Sequence, residues 1–93
     1  MYEPFSLSLL RQHKTGYVGA VTAEPAMARR FLDLGIIPGT EITCLFTAPW
    51  GDLAAYCIRG AVIALRSRDA AGIQMVASPD RALKRTSPAA AAR

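Results

Sequence analysis

The side chains that could carry out a reaction are few in this 93-residue chain, and they stand far apart. His13 is the one histidine and lies in a polar turn, where an exposed ring is more expected than a general base. Ser6 and Ser8 have no base spaced to activate them, so nucleophilic catalysis lacks support. The acidic residues occur singly, and no two are spaced to hold a divalent ion from one helix face. We therefore expect no enzymatic activity, no catalytic residue, no metal ligand and no cofactor.

The two cysteines are the other reactive candidates. Neither Cys44 nor Cys57 belongs to a CxxC pair, so the ligand count excludes a zinc knuckle. They fall on opposite phases of their strands: Cys44 shares an inward face with Ile42, whereas Cys57 points outward. A disulfide between them is therefore not expected. One core cysteine and one surface thiol are favoured over a metal or catalytic role, and both fit a reducing compartment.

The segment 25–51 organises the chain around a helix, a stop and a forced turn. Pro25 suits the first helical position. Apolar residues then recur at helical spacing: Met27, Phe31 and Leu34, with Ala28 and Leu32 beside them. Gly35 follows the last of these, where a left-handed residue often ends a helix. Pro38-Gly39 has the order of a type II turn, so the chain must reverse into a strand.

The rest of the chain is mostly predicted strand. Strands are expected at 17–22, 40–47, 53–59, 62–66 and 73–77, with a capped turn at 6–10 and a helical turn at 68–72. Five short strands with one short helix between the first two suit a small closed barrel without free edges. The expected core is Leu7, Leu10, Val18, Met27, Phe31, Leu34, Ile42, Cys44, Tyr56, Ile58, Ile63, Leu65, Ile73 and Val76.

The net charge of +4 is concentrated at one end of the chain. Residues 78–93 hold four basic residues against one acidic residue, whereas 1–77 hold seven against six. We expect one domain at 1–77 and a disordered basic tail at 78–93. A near-neutral domain is not typical of nucleic-acid binding. The N-terminus lacks the pattern of a signal peptide, and no apolar run is long enough to span a bilayer, so a cytoplasmic location is expected.

The run RRFLDLGIIPGTEITCLFTAPWGD, followed by Ile58-Arg59-Gly60 and Ala64-Leu65-Arg66, resembles the FeoA family of small accessory proteins in bacterial ferrous-iron uptake. The shared pattern covers about residues 5–77. The resemblance implies the SH3-like version of the barrel and an association of the family with transition metal ions. It also implies a cytoplasmic adaptor that docks on the soluble part of the FeoB permease and is peripheral at the inner membrane through that partner.

The outward positions of the strands depart from the family pattern. Relatives generally carry charged residues there, but this chain has Leu45 or Phe46, Ala55, Cys57 and Val62. Phe46 and its neighbours predict a surface that binds another protein. These departures fit self-association of this chain as well as a shared partner.

Three further residues complete the candidate partner-binding set. Trp50 either folds back as a lid on one barrel end or joins Phe46 in an apolar patch. Arg29 and Arg30 lie on the polar helix face, which is either a solvated surface or a contact for an acidic partner.

Two other functions stay open from the sequence. Phe46, Trp50 and Tyr56 could stack single-stranded nucleic acid, with Arg59, Arg66 and Arg68 as phosphate contacts. The same domain type also occurs in iron-dependent repressors, but this chain lacks their helix-turn-helix and metal ligands.

Overall fold

The computed structural model describes residues 4–78. The elements in chain order are β1 (Phe5–Ser6), a 3₁₀ turn (Leu7–Leu9), β2 (Thr15–Val21), α1 (Pro25–Asp33), β3 (Glu41–Thr47), β4 (Leu53–Ile58), β5 (Ala61–Arg66), α2 (Ser67–Ala70) and β6 (Ile73–Val76). The predicted tail lies outside the described residues except for Ser78.

The strands form one antiparallel sheet in the order β1-β6-β2-β3-β4-β5. The mainly β fold is confirmed, with the predicted helix present as α1 and the predicted helical turn as the four-residue α2. The additional strand is the two-residue β1, which pairs with β6, so α1 lies between the second and third strands. Within the described residues, the end strands β1 and β5 are not paired with each other. The expectation that closure leaves no free edge is therefore wrong.

The buried core lies against the inner face of the sheet. Eleven of the expected core residues are buried: Leu7, Leu10, Val18, Phe31, Ile42, Cys44, Tyr56, Ile58, Leu65, Ile73 and Val76. The other three, Met27, Leu34 and Ile63, are half-buried and pack against this cluster. The sequence analysis missed Ile36, Met75, Ala54 and Ala70, which are also in the core.

Two backbone hydrogen bonds fix the end of α1, and a glycine at this position allows both. Gly35 has φ +86° and donates to the Leu32 carbonyl at 2.9 Å, and Ile36 donates to the Phe31 carbonyl at 2.9 Å. These two bonds form a Schellman motif. The motif is usually accompanied by an apolar contact between its last residue, here Ile36, and the residue that accepts its hydrogen bond, here Phe31. Both are buried, so the helix end is also a core contact.

The predicted turn after the helix is confirmed. Thr40 donates its backbone N–H to the Ile37 carbonyl at 2.9 Å, and Gly39 has φ +94°. The Thr40 hydroxyl donates to the Gly35 carbonyl at 2.9 Å and accepts from the Ile37 N–H at 3.2 Å. Burial of the Thr40 hydroxyl is therefore compensated, because the hydroxyl forms two hydrogen bonds with backbone groups of the turn.

Candidate protein-docking surface

A β-bulge decides which side chain of β3 faces outward. The register of β3 against β4 shifts between Cys44 and Phe46, so that Phe46 pairs with Ala55. Phe46 is 57% exposed, whereas Leu45 is half-buried. Because the side chains of a strand alternate between faces, one extra residue changes the outward set. The bulge therefore resolves the choice between Leu45 and Phe46 that the sequence left open.

Phe46, Trp50 and Leu53 form what we call the hairpin patch, at the end of the β3–β4 hairpin. All three are large exposed apolar residues. Leu53 was missed by the sequence analysis, although it has the same strand phase as Ala55, two residues on. Ala55 also has the outward phase but is only 5% exposed. The expectation of an exposed Ala55 is therefore wrong, because a small side chain opposite Phe46 is covered by its neighbours.

Trp50 lies at the tip of the turn that joins β3 to β4. Gly51 donates to the Ala48 carbonyl at 2.8 Å, and Ala48 donates to the Leu53 carbonyl at 2.7 Å. This turn holds Trp50 outward, and its side chain is 72% exposed. Trp50 therefore does not act as a lid on the barrel in this structure.

Arg29 and Arg30 lie on α1, apart from the hairpin in the chain. Both are exposed, and the Nε of Arg29 lies 3.3 Å from the Oδ1 of Asp33 one helical turn away. Within residues 4–78, no hydrogen bond or ion pair joins these arginines to the hairpin patch. The structure thus brings Phe46 and Trp50 together on one hairpin and leaves the two arginines on a separate element.

Among the reactive candidates, His13 lies in a turn at the surface. His13 is exposed, with its Nε2 3.1 Å from the amide nitrogen of Gln12. Within the described range, no three His, Cys, Asp or Glu side chains are grouped closely enough to hold a metal ion. No helix among the same residues is long and apolar enough to cross a membrane.

The two cysteines are free, as expected, with Cys44 buried and Cys57 half-buried. Burial raises the pKa of the Cys44 thiol. Burial also raises the pKa of Tyr56 to about 12, with a smaller contribution from Cys44. The Tyr56 hydroxyl donates to the Leu7 carbonyl at 3.5 Å. Both groups are therefore held in their neutral forms inside the core.

These two pKa values make the folded state sensitive to alkaline pH. Their folded values lie above the unfolded values, so their contribution to stability is complete at neutral pH and is lost as pH rises. Ionisation of Tyr56 should lower the free energy of unfolding by about 1.4 kcal/mol between pH 9 and pH 11. Urea denaturation at both pH values measures this loss. The Tyr56→Phe variant should show a smaller loss, and an equal loss in both proteins would contradict the assignment to Tyr56.

The fold is a small, mainly β module whose β3–β4 hairpin carries an exposed apolar patch. A model of the FeoA domain matches residues 5–76, and the chain therefore belongs to the FeoA domain family. A search among curated proteins found no match.

Three solved structures show how far the likeness extends. The FeoA-like protein of Clostridium acetobutylicum is 30% identical, with a TM-score of 0.75 over 83% of this chain and 90% of that chain. The zinc complex of FeoA from Stenotrophomonas maltophilia is 28% identical, with a TM-score of 0.69 over 76% of this chain and 88% of that chain. It is described as a prokaryotic SH3 domain protein and a candidate activating factor of ferrous iron transport. A manganese-dependent transcriptional repressor is 26% identical, with a TM-score of 0.73 over 82% of this chain but only 42% of that chain. The SH3-like fold expected from the resemblance is thus confirmed.

Proposed function

We propose that this protein is a cytoplasmic accessory protein of ferrous-iron uptake that docks on the soluble part of a FeoB-type permease and modulates transport. The docking would bring it to the inner membrane without inserting it. Family membership supports the link to ferrous-iron transport. The hairpin patch supports action through protein contact, because three large apolar side chains exposed on one hairpin form the kind of patch that marks an interaction site. The protein would act through this contact rather than by catalysis.

Trp50 is the expected centre of that contact. Aromatic residues supply a large share of binding energy at protein interfaces, and truncating one often costs 2 kcal/mol or more. Trp50→Ala should therefore weaken binding to the soluble FeoB domain by about thirtyfold or more. Isothermal titration calorimetry with the full chain and the soluble domain of the permease from the same organism measures this change.

Leu9→Ala is the matched control, because Leu9 is also exposed and apolar but lies on the 3₁₀ turn. It should leave binding unchanged. If the unmodified chain does not bind the FeoB domain, the proposed function is wrong. If it binds and Trp50→Ala binds equally well, the function stands and the hairpin patch is not the docking surface.

The helix arginines form a second, weaker element of the proposal. Arg29→Glu reverses a charge whose surface ion pair with Asp33 contributes little to stability, so the fold should be retained. If the FeoB surface is acidic, the variant should bind more slowly, and the difference should shrink at high salt. Arg11→Glu, an exposed basic residue in another turn, is the control for net charge.

The structure weakens the nucleic-acid alternative. Tyr56 is only 2% exposed, so it is not available to stack on a base. The stacking surface is thereby reduced to Phe46 and Trp50. The repressor alternative rests on a match to less than half of the repressor chain, so it concerns this domain type and not DNA binding.

A further inference from the structure

The free edge of β5 is the longest unpaired strand edge among the described residues. The sheet ends at β1 on one side and at β5 on the other. β1 has two residues, whereas β5 has six, from Ala61 to Arg66. A short edge offers little to pair with, but a six-residue edge presents a row of donors and acceptors.

The turn between β4 and β5 determines which backbone groups point outward from this edge. Arg59 and Gly60 have φ +51° and +83°, as in a two-residue type I′ turn. Such a turn is flanked by a hydrogen-bonded pair, here Ile58 and Ala61, and hydrogen-bonded pairs alternate along an antiparallel ladder. The same alternation predicts that Asp52 and Ser67, the next residues beyond the two strands, form a hydrogen-bonded pair. Ser67 does donate to the Asp52 carbonyl, at 3.0 Å.

The alternate residues of β5 therefore direct their N–H and C=O groups away from β4. These are Val62, Ala64 and Arg66. In the part of the chain that the structure describes, Val62 and Ala64 form no backbone bond to a further element. Arg66 is the N-cap of α2, so its carbonyl accepts the first helical bond and only its N–H is open. All three are exposed, and Val62 is 68% exposed. The edge is thus open, and two of its three outward side chains are apolar.

We propose that β5 pairs with β5 of a second copy of this chain, antiparallel and about a two-fold axis at Ala64. This register is the one in which all three open residues are used, because it places Ala64 opposite Ala64 and Val62 opposite Arg66. The Ala64 pair can exchange two backbone hydrogen bonds, and in each Val62–Arg66 pair the Arg66 N–H can donate to the Val62 carbonyl. The result is a continuous sheet across two barrels, and an isologous contact of this kind closes at the dimer.

The charges on the edge favour this register over one that places the two Arg66 side chains opposite each other. Arg66 is the only charged residue of β5. In the register centred on Ala64, the two Arg66 residues lie four positions apart along the strands, about 13 Å at about 3.3 Å per residue. This separation exceeds the screening length of about 8 Å at physiological salt, so their repulsion is weak. A shift that brought the two arginines opposite each other would be unfavourable.

The test is the self-association of the full chain, measured by sedimentation equilibrium over a range of concentrations. We expect the unmodified protein to form a dimer. Ala64→Pro should weaken the dimer by about tenfold or more, because it removes the central donor. Proline is tolerated at an edge position whose N–H faces solvent, so the monomer should keep its circular dichroism spectrum.

A charge-swap pair separates this geometry from other contacts. Ala64→Lys and Ala64→Glu should each be monomeric, because each places two like charges opposite each other at the axis. An equimolar mixture of the two should dimerise again, and high salt should weaken that mixed dimer. Leu32→Lys, at an exposed apolar position on α1, should leave the dimer intact.

A chain that stays monomeric at all concentrations would overturn the proposal. So would a dimer that Ala64→Pro leaves unchanged, or charge variants that fail to recombine. These outcomes are independent of FeoB docking, because the hairpin patch and the β5 edge are changed by different substitutions.

Discussion

Replacement of Phe31 by alanine should lower the free energy of unfolding by about 3–5 kcal/mol. Phe31 is completely buried on the inner side of α1, and its carbonyl accepts the hydrogen bond of Ile36 that ends the helix. Removing the ring leaves a cavity in a small core, where few neighbours can move in to fill it. Domains have about 5–15 kcal/mol of stability in total, and small ones lie near the lower end, so the variant should lose most of its stability.

Urea denaturation followed by circular dichroism measures the effect. Tryptophan fluorescence is a poor probe, because Trp50 is already exposed in the folded state. Leu32→Ala is the neighbouring control, since Leu32 is 55% exposed and its truncation should cost less than about 0.5 kcal/mol. Equal losses for the two variants would mean that α1 does not pack through Phe31.

The start and end of α1 and the turn that follows it could be predicted from the sequence. Pro25 begins α1, Gly35 ends it with a positive φ, and Pro38-Gly39 makes the expected turn. Each of these depends on the conformational limits of one or two residues, which the sequence states directly. The Ser6 cap was predictable for the same reason, and its hydroxyl accepts from Ser8 N at 3.1 Å.

The errors arise where distant residues decide the outcome. Leu32 was expected beside the apolar face of α1 but lies exposed, because the short helix buries only a narrow stripe. Ile36 was missed because its burial follows from the helix end rather than from a periodic pattern. The strand β1 was missed because two residues carry no periodicity, and they form a strand only by pairing with β6.

The hairpin patch was predictable in part. Phe46 and Trp50 stood out as large apolar residues at positions expected to face solvent, and both are exposed. The choice between Leu45 and Phe46 could not be made, because a bulge depends on the pairing between two strands. The open edge of β5 was not expected, since the strand count alone favours a closed barrel over an open one.

Substitution of Gly35 by alanine should cost about 1–2 kcal/mol, slightly more than the same substitution at Gly39. Both glycines have φ near +90°, where an alanine is strained by about 1–2 kcal/mol. At Gly39 no atom lies within 4 Å of the added methyl group, so the strain is the whole cost. At Gly35 the methyl group would also overlap the Arg59 side chain, which is exposed and flexible and can move aside at small cost.

Arg59 therefore supplies the part of the effect that is specific to Gly35. The Arg59→Ala background removes the obstructing side chain, and Gly35→Ala should then cost no more than Gly39→Ala does. A double-mutant cycle measured by urea denaturation isolates this coupling, because the two residues are in direct contact. If the cost at Gly35 stays the same in both backgrounds, the backbone conformation alone requires the glycine there. If it falls as expected, the glycine is needed twice: to end α1, and to let the β4–β5 turn pack against the end of that helix.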